Sequence, residues 1–250
     1  MCVDPIWQTV PRSFALHAHE VHVLRTGLDA DPAALGRWRE TLSAEELARA
    51  ERFHAPIDRD RYTAGRGILR ALLARYLGTP AGDLRFCQNA HGKPALTPGS
   101  GPADLRFNLS HSHGLALFAF TLGREVGVDV EYVRPSLAEK RLAERFFSPL
   151  EVDALRALPP SAQPEAFFHC WTRKEAYIKA RGAGLSIKLA SFTVSLAPDT
   201  FRHLPITGHD GPEAGRWWLR PLAPGEGYVG AVAAEGADWS LALWQYEGEK

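Results

Sequence analysis

Two carboxylates spaced two residues apart mark the most informative segment of this chain, residues 127–131 with the sequence Gly-Val-Asp-Val-Glu. Successive side chains of a β-strand point to opposite faces, so Asp129 and Glu131 share one face while the valines line the other. Divalent cations such as magnesium prefer carboxylate oxygens as ligands. The pattern therefore suits a magnesium site on a strand.

A second acidic position follows in a segment with helical periodicity. Phe167, Trp171 and Ile178 form an apolar stripe at helical spacing, and Glu175 falls inside that stripe. A carboxylate in an apolar stripe is costly unless it is paired or bound to a metal. Lys179 follows one turn later, so the strand and the helix together offer three carboxylates and an ammonium, a set suited to magnesium and phosphate.

Each motif also has a simpler interpretation. An Asp-x-Glu pair on a strand is typical of the solvated face of an edge strand. A glutamate four residues before a lysine is typical of a surface ion pair on a helix. The occurrence of both motifs in one chain favours a magnesium site but leaves these alternatives open.

The whole composition sets limits on function. The chain has 250 residues, 45% of them hydrophobic, and its 29 basic residues balance 29 acidic ones. Without a net positive field, nucleic acid and anionic membranes are not expected as partners, and no apolar stretch is long enough to span a bilayer. Cys2, Cys87 and Cys170 lack metal-ligand spacing, which predicts reduced thiols and a cytoplasmic location.

A weak internal repeat predicts two similar halves. Ser43 and Ser148 each precede a short helical segment as capping residues, and longer helices follow at 61–77 and 166–181. Gly78 and Gly182 end these two helices. Four strand-like segments complete each half. In the first half they are a valine-rich strand around 21–23 and three more at 84–88, 104–109 and 114–121. In the second half they are 126–130, 191–196, 216–222 and 227–234.

The repeat predicts an α+β pseudo-dimer of two similar α/β lobes, 1–122 and 123–250, with a closing strand at 239–246 in the second lobe. Only the second half carries the acidic cluster, because the first half has Ala71 where the second has Glu175. One active site between the lobes is therefore expected, and a monomer, since the second lobe replaces a second subunit.

Several basic and polar segments of the first half are candidates for binding an anion. The run 108–113 reads as a hairpin loop in which Ser110 and His111 face the acidic cluster. The turn around Gly92 and Pro94 positions Lys93 as a cation. Five arginines on or before the first-half helices offer a phosphate-binding patch, namely Arg49, Arg52, Arg59, Arg61 and Arg66. The chain has no P-loop or dinucleotide-binding fingerprint.

These motifs, in this order, resemble those of the Sfp-type 4'-phosphopantetheinyl transferases. The resembling segments are 92–94, 108–112, 127–131, 146–148 and 171–179. The resemblance spans roughly residues 43 to 190 and implies a two-lobed pseudo-dimeric α+β fold. It also implies transfer of the phosphopantetheine arm of coenzyme A to a serine of an acyl or peptidyl carrier protein, which leaves adenosine 3',5'-bisphosphate.

The resemblance further implies roles for single residues. Magnesium is held by Asp129, Glu131 and Glu175, with Glu175 or a water as the base, and Lys179 binds the pyrophosphate. The positions implied to bind the coenzyme nucleotide are Arg49, Arg61 and His111 at the 3'-phosphate, with Lys93, Pro94 and Ser110 lining the adenine and phosphate pocket. Carrier docking is expected near 133–147.

One departure is that Glu46 stands at an early position that is often basic in this family, so the 3'-phosphate is expected to rest on other arginines. Two other functions remain as alternatives. A magnesium-dependent phosphodiesterase or nuclease also uses clustered carboxylates, but it is disfavoured by the neutral charge balance. A non-catalytic carrier-binding module would not need the intact acidic cluster.

Overall fold

The computed structural model describes residues 7–11, 15–101, 104–134, 138–197, 204–207 and 215–248. The first lobe begins with strands β1 (Gln8–Thr9) and β2 (Glu20–Gly27). Helices α1 (Pro32–Thr41), α2 (Ala44–Ala50) and α3 (Pro56–Leu77) follow. The lobe then adds the short hairpin β3 (Phe86–Gln88) and β4 (Pro94–Leu96) and the long hairpin β5 (Leu105–Ser112) and β6 (Leu115–Leu122).

The second lobe repeats the plan of a strand, short helices, a long helix and a terminal hairpin. It begins with β7 (Val126–Tyr132), α4 (Ala138–Phe146) and α5 (Pro149–Ala157), and the long helix α6 (Gln163–Arg181) follows. Strands β8 (Leu204–Pro205), β9 (Trp217–Gly225), β10 (Tyr228–Glu235) and β11 (Ser240–Gln245) complete the chain. The predicted mixed, two-lobed α+β fold is confirmed.

The strands form two main sheets. The order of the first is β1-β11-β2-β6-β5, and that of the second is β7-β10-β9-β8. β11 was predicted as a closing strand of the second lobe; it is a strand, but it pairs in parallel with β2, with Ser240 opposite Glu20. The apolar pattern of a strand predicts a buried face and does not name its neighbour, which explains the difference.

Three apolar cores hold these layers together. One lies between α3 and the first sheet, and a second lies between α6 and the second sheet. The third joins the sheets themselves and contains Val128 and Val130 of β7 with Val21 and Val23 of β2. The valine face of β7 therefore packs toward the first lobe, which turns Asp129 and Glu131 toward α6 as the alternation predicts.

The ends of the helices follow the predicted signals. Ser43 and Ser148 each cap a helix and form a capping box with a glutamate three residues later. Gly78 and Gly182 end α3 and α6 in the left-handed conformation, with φ of 63° and 61°. Both long helices begin a few residues earlier than predicted, since prolines occupy their first turns.

Two predicted segments are wrong. Residues 191–196 are not a strand; a 3-10 turn at Leu189–Ser191 and one isolated bridge at Thr193 occupy this region. Side chains of α6 explain the difference. Arg173 and Lys174 donate to two backbone carbonyls within this segment, those of Phe192 and Ser195, and to two beside it, those of Leu189 and Ala197. Residues 108–112 are not a loop but the end of β5, and the hairpin turn contains only His113 and Gly114, at φ of 48° and 87°.

The cysteines and the helices can be compared with the expectations of reduced thiols and of no membrane-spanning segment. Cys87 and Cys170 are free thiols, and burial raises the pKa of the Cys170 thiol well above its ordinary value. Cys2 lies outside the described residues. Within the part of the chain that the structure describes, no helix is long and apolar enough to cross a bilayer.

Candidate active site

Asp129 is the centre of the acidic cluster. It is buried, and its Oδ1 accepts hydrogen bonds from Lys179 Nζ at 2.6 Å and Ser110 Oγ at 2.8 Å. Lys179 Nζ also donates to Ser110 Oγ at 2.9 Å. The structure thus brings together residues from β5, β7 and α6, as one site between the lobes requires. Ser110 contacts this carboxylate and does not line the basic cavity that opens in the first lobe.

Alternate side chains of β5 hold β7 in place. Asn108 accepts from the Val128 backbone N–H at 2.9 Å, Ser110 donates to Asp129, and Ser112 Oγ donates to Glu131 Oε2 at 2.8 Å. These three polar residues share one face of β5 because they are spaced by two. The run that resembled a loop is therefore the polar face of a strand that orients both carboxylates.

Gly127 permits the close approach between β7 and α6. A Cβ atom at this position would overlap the carbonyl oxygen of Ala176 and the backbone nitrogen of Ala180. Any larger residue would therefore push the strand away from the helix. Because Gly127 and Asp129 face the same way, this contact sets the distance at which Lys179 reaches Asp129.

The two other carboxylates are held in a poorly hydrated and negatively charged setting. Burial first, and then the charges of Asp129 and Glu131, raise the pKa of Glu175 to about 7 despite the nearby Lys179. The pKa of Glu131 is also raised, by burial and by Asp129. Mutual repulsion of this kind is relieved by a cation or a proton.

The donor set fits a divalent cation. Asp129 Oδ2 is buried and makes no hydrogen bond within the described structure, so one carboxylate oxygen remains available, and carboxylates are the preferred magnesium ligands. Among the described residues, no three His, Cys, Asp or Glu side chains are already grouped closely enough to enclose a metal ion. Lys179 provides the positive charge at Oδ1 in this arrangement.

A strongly basic cavity of about 1220 Å³ opens in the first lobe between α2, α3 and the β3–β4 hairpin. Its walls contain six arginines, Arg49, Arg52, Arg61, Arg66, Arg70 and Arg85, together with the rings of Phe53, Tyr62, Phe86 and His111. Clustered guanidinium groups bind phosphate through paired hydrogen bonds, and aromatic rings pack on planar bases. The cavity suits a phosphorylated nucleotide.

His111 connects this cavity to the acidic cluster, because it follows Ser110 on β5 and lines the cavity wall. Its pKa is lowered, mainly by reduced hydration and next by the charges of Lys179 and Arg61. Arg61 also lines the cavity, where it donates to both oxygens of Asp29 at 2.7 and 3.1 Å. An aspartate partner leaves this guanidinium fixed in direction and partly neutralised.

Arg49 and Pro94 also lie at the cavity wall, where the guanidinium of Arg49 is over the ring of Tyr62 at 5.7 Å. Glu46, the departure noted in the sequence, is buried and takes part in a capping box with Ser43. Its pKa is lowered although burial would raise it, because the charge of Arg66 and several hydrogen bonds outweigh desolvation. Glu46 is thus an anion surrounded by cations.

Lys93 is not brought to this cavity. Its ammonium donates to Glu125 Oε2 at 2.6 Å, to the Ala180 carbonyl at 2.8 Å and to the Val126 carbonyl at 3.2 Å. Burial lowers the pKa of this lysine despite the glutamate beside it. The predicted phosphate-binding cation therefore joins the β3–β4 hairpin to β7 and α6, a set of contacts that the turn sequence alone does not reveal.

The sequence reasoning missed the pairing of Glu46 with two arginines of α3. Arg66 Nε donates to Glu46 Oε1 at 2.7 Å, and Arg70 Nε donates to Oε2 at 2.8 Å. Two signals were present in the sequence. Arg66 and Arg70 are four residues apart and share a helix face, and the capping box fixes the direction of Glu46.

Comparison with known proteins gives the family. A model of the 4'-phosphopantetheinyl transferase superfamily matches residues 125–233, and one of the N-terminal region of 4'-phosphopantetheinyl transferase matches residues 31–121. A solved structure, the Chronobacterium ammoniagenes ACPS-CoA complex, is similar over 44% of this chain and 95% of its own, with 23% identity and a TM-score of 0.33.

Two curated relatives extend over nearly the whole chain. The 4'-phosphopantetheinyl transferase HetI of Nostoc sp. is 42% identical over 240 residues, covering 96% of this chain and 98% of its own length. The 4'-phosphopantetheinyl transferase Sfp of Bacillus subtilis is 30% identical over 213 residues, covering 84% and 91%. With these matches in both lobes, the chain belongs to the Sfp-type 4'-phosphopantetheinyl transferases.

Proposed function

We propose that this enzyme transfers the 4'-phosphopantetheine arm of coenzyme A to a serine of an acyl or peptidyl carrier protein and releases adenosine 3',5'-bisphosphate. The observation that supports it best is the continuity of the two regions along β5. Ser110 contacts the acidic cluster, and the next residue, His111, lines the arginine-rich cavity. A ligand with a nucleotide at one end and a reactive pyrophosphate at the other fits this arrangement.

The nucleotide end of coenzyme A lies in the basic cavity. Arg49, Arg61 and His111 bind the 3'-phosphate, and Pro94 contacts the adenine ring from the hairpin side. Lys93 acts indirectly, since its three bonds fix the hairpin that carries Pro94.

The pyrophosphate end lies at the acidic cluster, where Asp129, Glu131 and Glu175 hold magnesium. Bound magnesium supplies positive charge that stabilises the leaving phosphate. Lys179 adds a second cation, and Ser110 keeps the Asp129 carboxylate oriented. The orphan oxygen of Asp129 and the raised pKa values of Glu131 and Glu175 support this assignment.

Glu175 takes the proton of the attacking serine, directly or through a water. Without a bound metal, burial and the neighbouring carboxylates raise the pKa of Glu175 to about 7, which makes its carboxylate a stronger base than an ordinary glutamate. The serine oxygen forms a bond to the β-phosphorus of coenzyme A as the bond to the departing 3',5'-bisphosphate breaks. Lys179 stabilises the negative charge that remains on the leaving oxygen.

The carrier protein docks on the segment from 133 to 147, which follows β7, the strand that carries Asp129 and Glu131. Residues 135–137 of this segment lie outside the described residues, and α4 with its basic Arg145 forms most of the rest. We further propose that the enzyme is a cytoplasmic monomer, with no nucleic acid or membrane as partner.

Mass spectrometry of a panel of apo carrier proteins, incubated with the enzyme, coenzyme A and magnesium, tests the activity. We expect a mass gain equal to phosphopantetheine on at least one carrier, lost on omission of magnesium or on replacement of its acceptor serine by alanine. Native mass spectrometry tests the monomer, which should appear as one 27.5 kDa chain with one coenzyme. Cleavage of nucleic acid without carrier modification would instead support a nuclease.

A further inference from the structure

Arg66 is held against Glu46 by one edge of its guanidinium group. Both Nε and Nη2 contact Glu46 Oε1, with the Nε distance at 2.7 Å. Among the described contacts, Nη1 makes no hydrogen bond. The side chain is 14% exposed and lines the basic cavity, so the unused edge of a fixed guanidinium borders the ligand space.

Phe86 fixes the plane of the same group, since the Arg66 guanidinium carbon lies 4.7 Å from the centre of its ring. Cation–π contacts of this kind add to the ion pair and restrict rotation. An arginine held by a carboxylate on one edge and a ring on one face loses little freedom when it binds an anion. Arg66 is therefore preorganised.

Arg70 offers an internal contrast. It is 1% exposed, contacts Glu46 Oε2, and donates through Nη1 to the carbonyls of Ala81 and Leu84. Its donors are used within the protein, so it has a structural role. Of the two arginines that share Glu46, only Arg66 retains donors for a ligand.

The position of Arg66 along α3 indicates which phosphate group of coenzyme A it would contact. Arg61 lines a pocket together with His111, and Arg66 is five residues farther along α3, about 7.5 Å along the helix axis. Lys179 and Arg61 are the two cations that most lower the pKa of His111, so Arg61 lies on the side of the acidic cluster. A pyrophosphate beside Lys179 would therefore be nearer to Arg61 than to Arg66. The anionic group of coenzyme A that lies beyond its pyrophosphate is the phosphate on the ribose.

We propose that Arg66 binds the 3'-phosphate of coenzyme A and that Glu46 is the positioning residue that directs it. The inference rests on the proposed function, because it takes coenzyme A as the ligand of the cavity. It adds a residue of α3 to the phosphate site and reverses the expected role of Glu46, whose negative charge improves phosphate binding by fixing an arginine.

The first test compares coenzyme A with dephospho-coenzyme A, which lacks only the 3'-phosphate, by titration calorimetry. Arg66→Gln should raise the Kd for coenzyme A about tenfold and leave the Kd for dephospho-coenzyme A nearly unchanged. Arg39→Gln is the matched control, since Arg39 also pairs with a carboxylate, Glu51, but lies outside the cavity. Equal losses for both ligands with Arg66→Gln would overturn the proposal.

The second test asks whether the carboxylate of Glu46 strengthens or weakens the binding of coenzyme A. Simple repulsion predicts that Glu46→Gln tightens coenzyme A binding, whereas the positioning role predicts about threefold weaker binding of coenzyme A relative to dephospho-coenzyme A. Glu46→Asp should recover part of the loss. Glu151→Gln controls for folding damage, because Glu151 is a buried capping-box glutamate with a cationic partner in the other lobe. Tighter coenzyme A binding by folded Glu46→Gln would overturn the proposal.

These outcomes are separable from failure of the proposed function. If the wild-type enzyme prefers coenzyme A to dephospho-coenzyme A but modifies no carrier, the transfer reaction is wrong and the assignment of Arg66 is still decided by the variants. If Arg66→Gln keeps the full preference for coenzyme A while carriers are modified, the transfer reaction stands and the assignment of Arg66 is wrong. A wild-type enzyme without any preference overturns the assignment directly.

Discussion

The two lobes contain the same structural unit in different surroundings. In each, a serine and a glutamate form a capping box on a short helix, and the glutamate pairs with a cation on the following long helix. In the second lobe Glu151 contacts Lys174 Nζ at 2.7 Å, and both side chains are 0% exposed. In the first lobe Glu46 contacts Arg70, but it is 10% exposed and also holds Arg66.

The two units differ in whether all the hydrogen-bond partners of the glutamate and its cation lie within the protein core. Glu151 accepts from the backbone of Ser148 and Val194 as well as from Lys174, and Lys174 donates to the carbonyls of Leu189 and Phe192. This unit is closed and ties together the second-lobe core. The Glu46 unit has a second arginine, Arg66, that lines the basic cavity, so the same repeat provides structure in one lobe and, as proposed, a ligand contact in the other.

The largest expected effect tests a second difference between the lobes, the proposal that only the second lobe supplies catalytic carboxylates. Asp129→Asn and Glu175→Gln should each reduce carrier modification at least 100-fold at saturating magnesium, because a lost metal ligand removes several kcal/mol of transition-state stabilisation. Mass spectrometry of the carrier measures the rate. Glu165→Gln, an exposed carboxylate on the same helix, should retain activity; near wild-type rates in Asp129→Asn would contradict the assignment.

Breaking the closed unit should have the next largest effect, on stability. Glu151→Gln leaves Lys174 buried without its anion and should lower the free energy of unfolding by about 3 kcal/mol. Glu46→Gln should cost less, because its surroundings are partly hydrated. Denaturant unfolding monitored by tryptophan fluorescence compares the two. A larger loss for Glu46→Gln would show that the first-lobe unit is the more structural one.

The pH dependence of stability tests the raised pKa of Glu175 in magnesium-free enzyme. The folded state favours protonated Glu175, so this residue supports folding below its ordinary pKa of 4.5, and the support is lost as the pH rises through about 7. Glu175→Gln should therefore stabilise the protein at pH 8 and have little effect at pH 4. Magnesium should reduce the difference at pH 8 by pairing with the carboxylate, and a difference independent of pH would argue against the raised pKa.

The smallest expected effect concerns His111 in the first lobe. His111→Ala should weaken coenzyme A binding several-fold more than dephospho-coenzyme A binding, since one hydrogen bond to the 3'-phosphate is lost. Calorimetry with both ligands measures the ratio. His19→Ala is a suitable control, because this histidine is exposed and pairs with Asp238. Equal losses for both ligands would assign His111 a different role.

The parts of the site that the sequence predicts are those that depend on local periodicity. The alternation in β7 places Asp129 and Glu131 on one face of the strand, and the helical periodicity places Glu175 and Lys179 on one side of α6, because both patterns are local. The ends of α3 and α6 follow in the same way from Gly78 and Gly182. The division of the chain at 122 and 123 stays a prediction.

The parts that failed depend on contacts between distant segments. Lys93 has the sequence context of a positioned cation, but its partners Glu125 and Ala180 come from the other lobe. The polar residues of β5 were expected to form a loop, because the sequence does not show that their hydrogen-bond partners lie on β7. In the segment 191–196, which was expected to be a strand, Arg173 and Lys174 of α6 donate to the carbonyls of Ser195 and Phe192, which a neighbouring strand would otherwise use.

The pairing of β11 with β2 bears on how the protein is made. Residues at sequence positions 20 and 240 are paired neighbours in the first sheet, which lies behind the basic cavity. On the ribosome, the helices of the first lobe emerge long before this strand, so the nascent lobe exposes the unsatisfied edge of β2 until β11 has been made. Such a distant pairing also favours slow folding. The sheet behind the basic cavity is therefore complete only after β11 has been made.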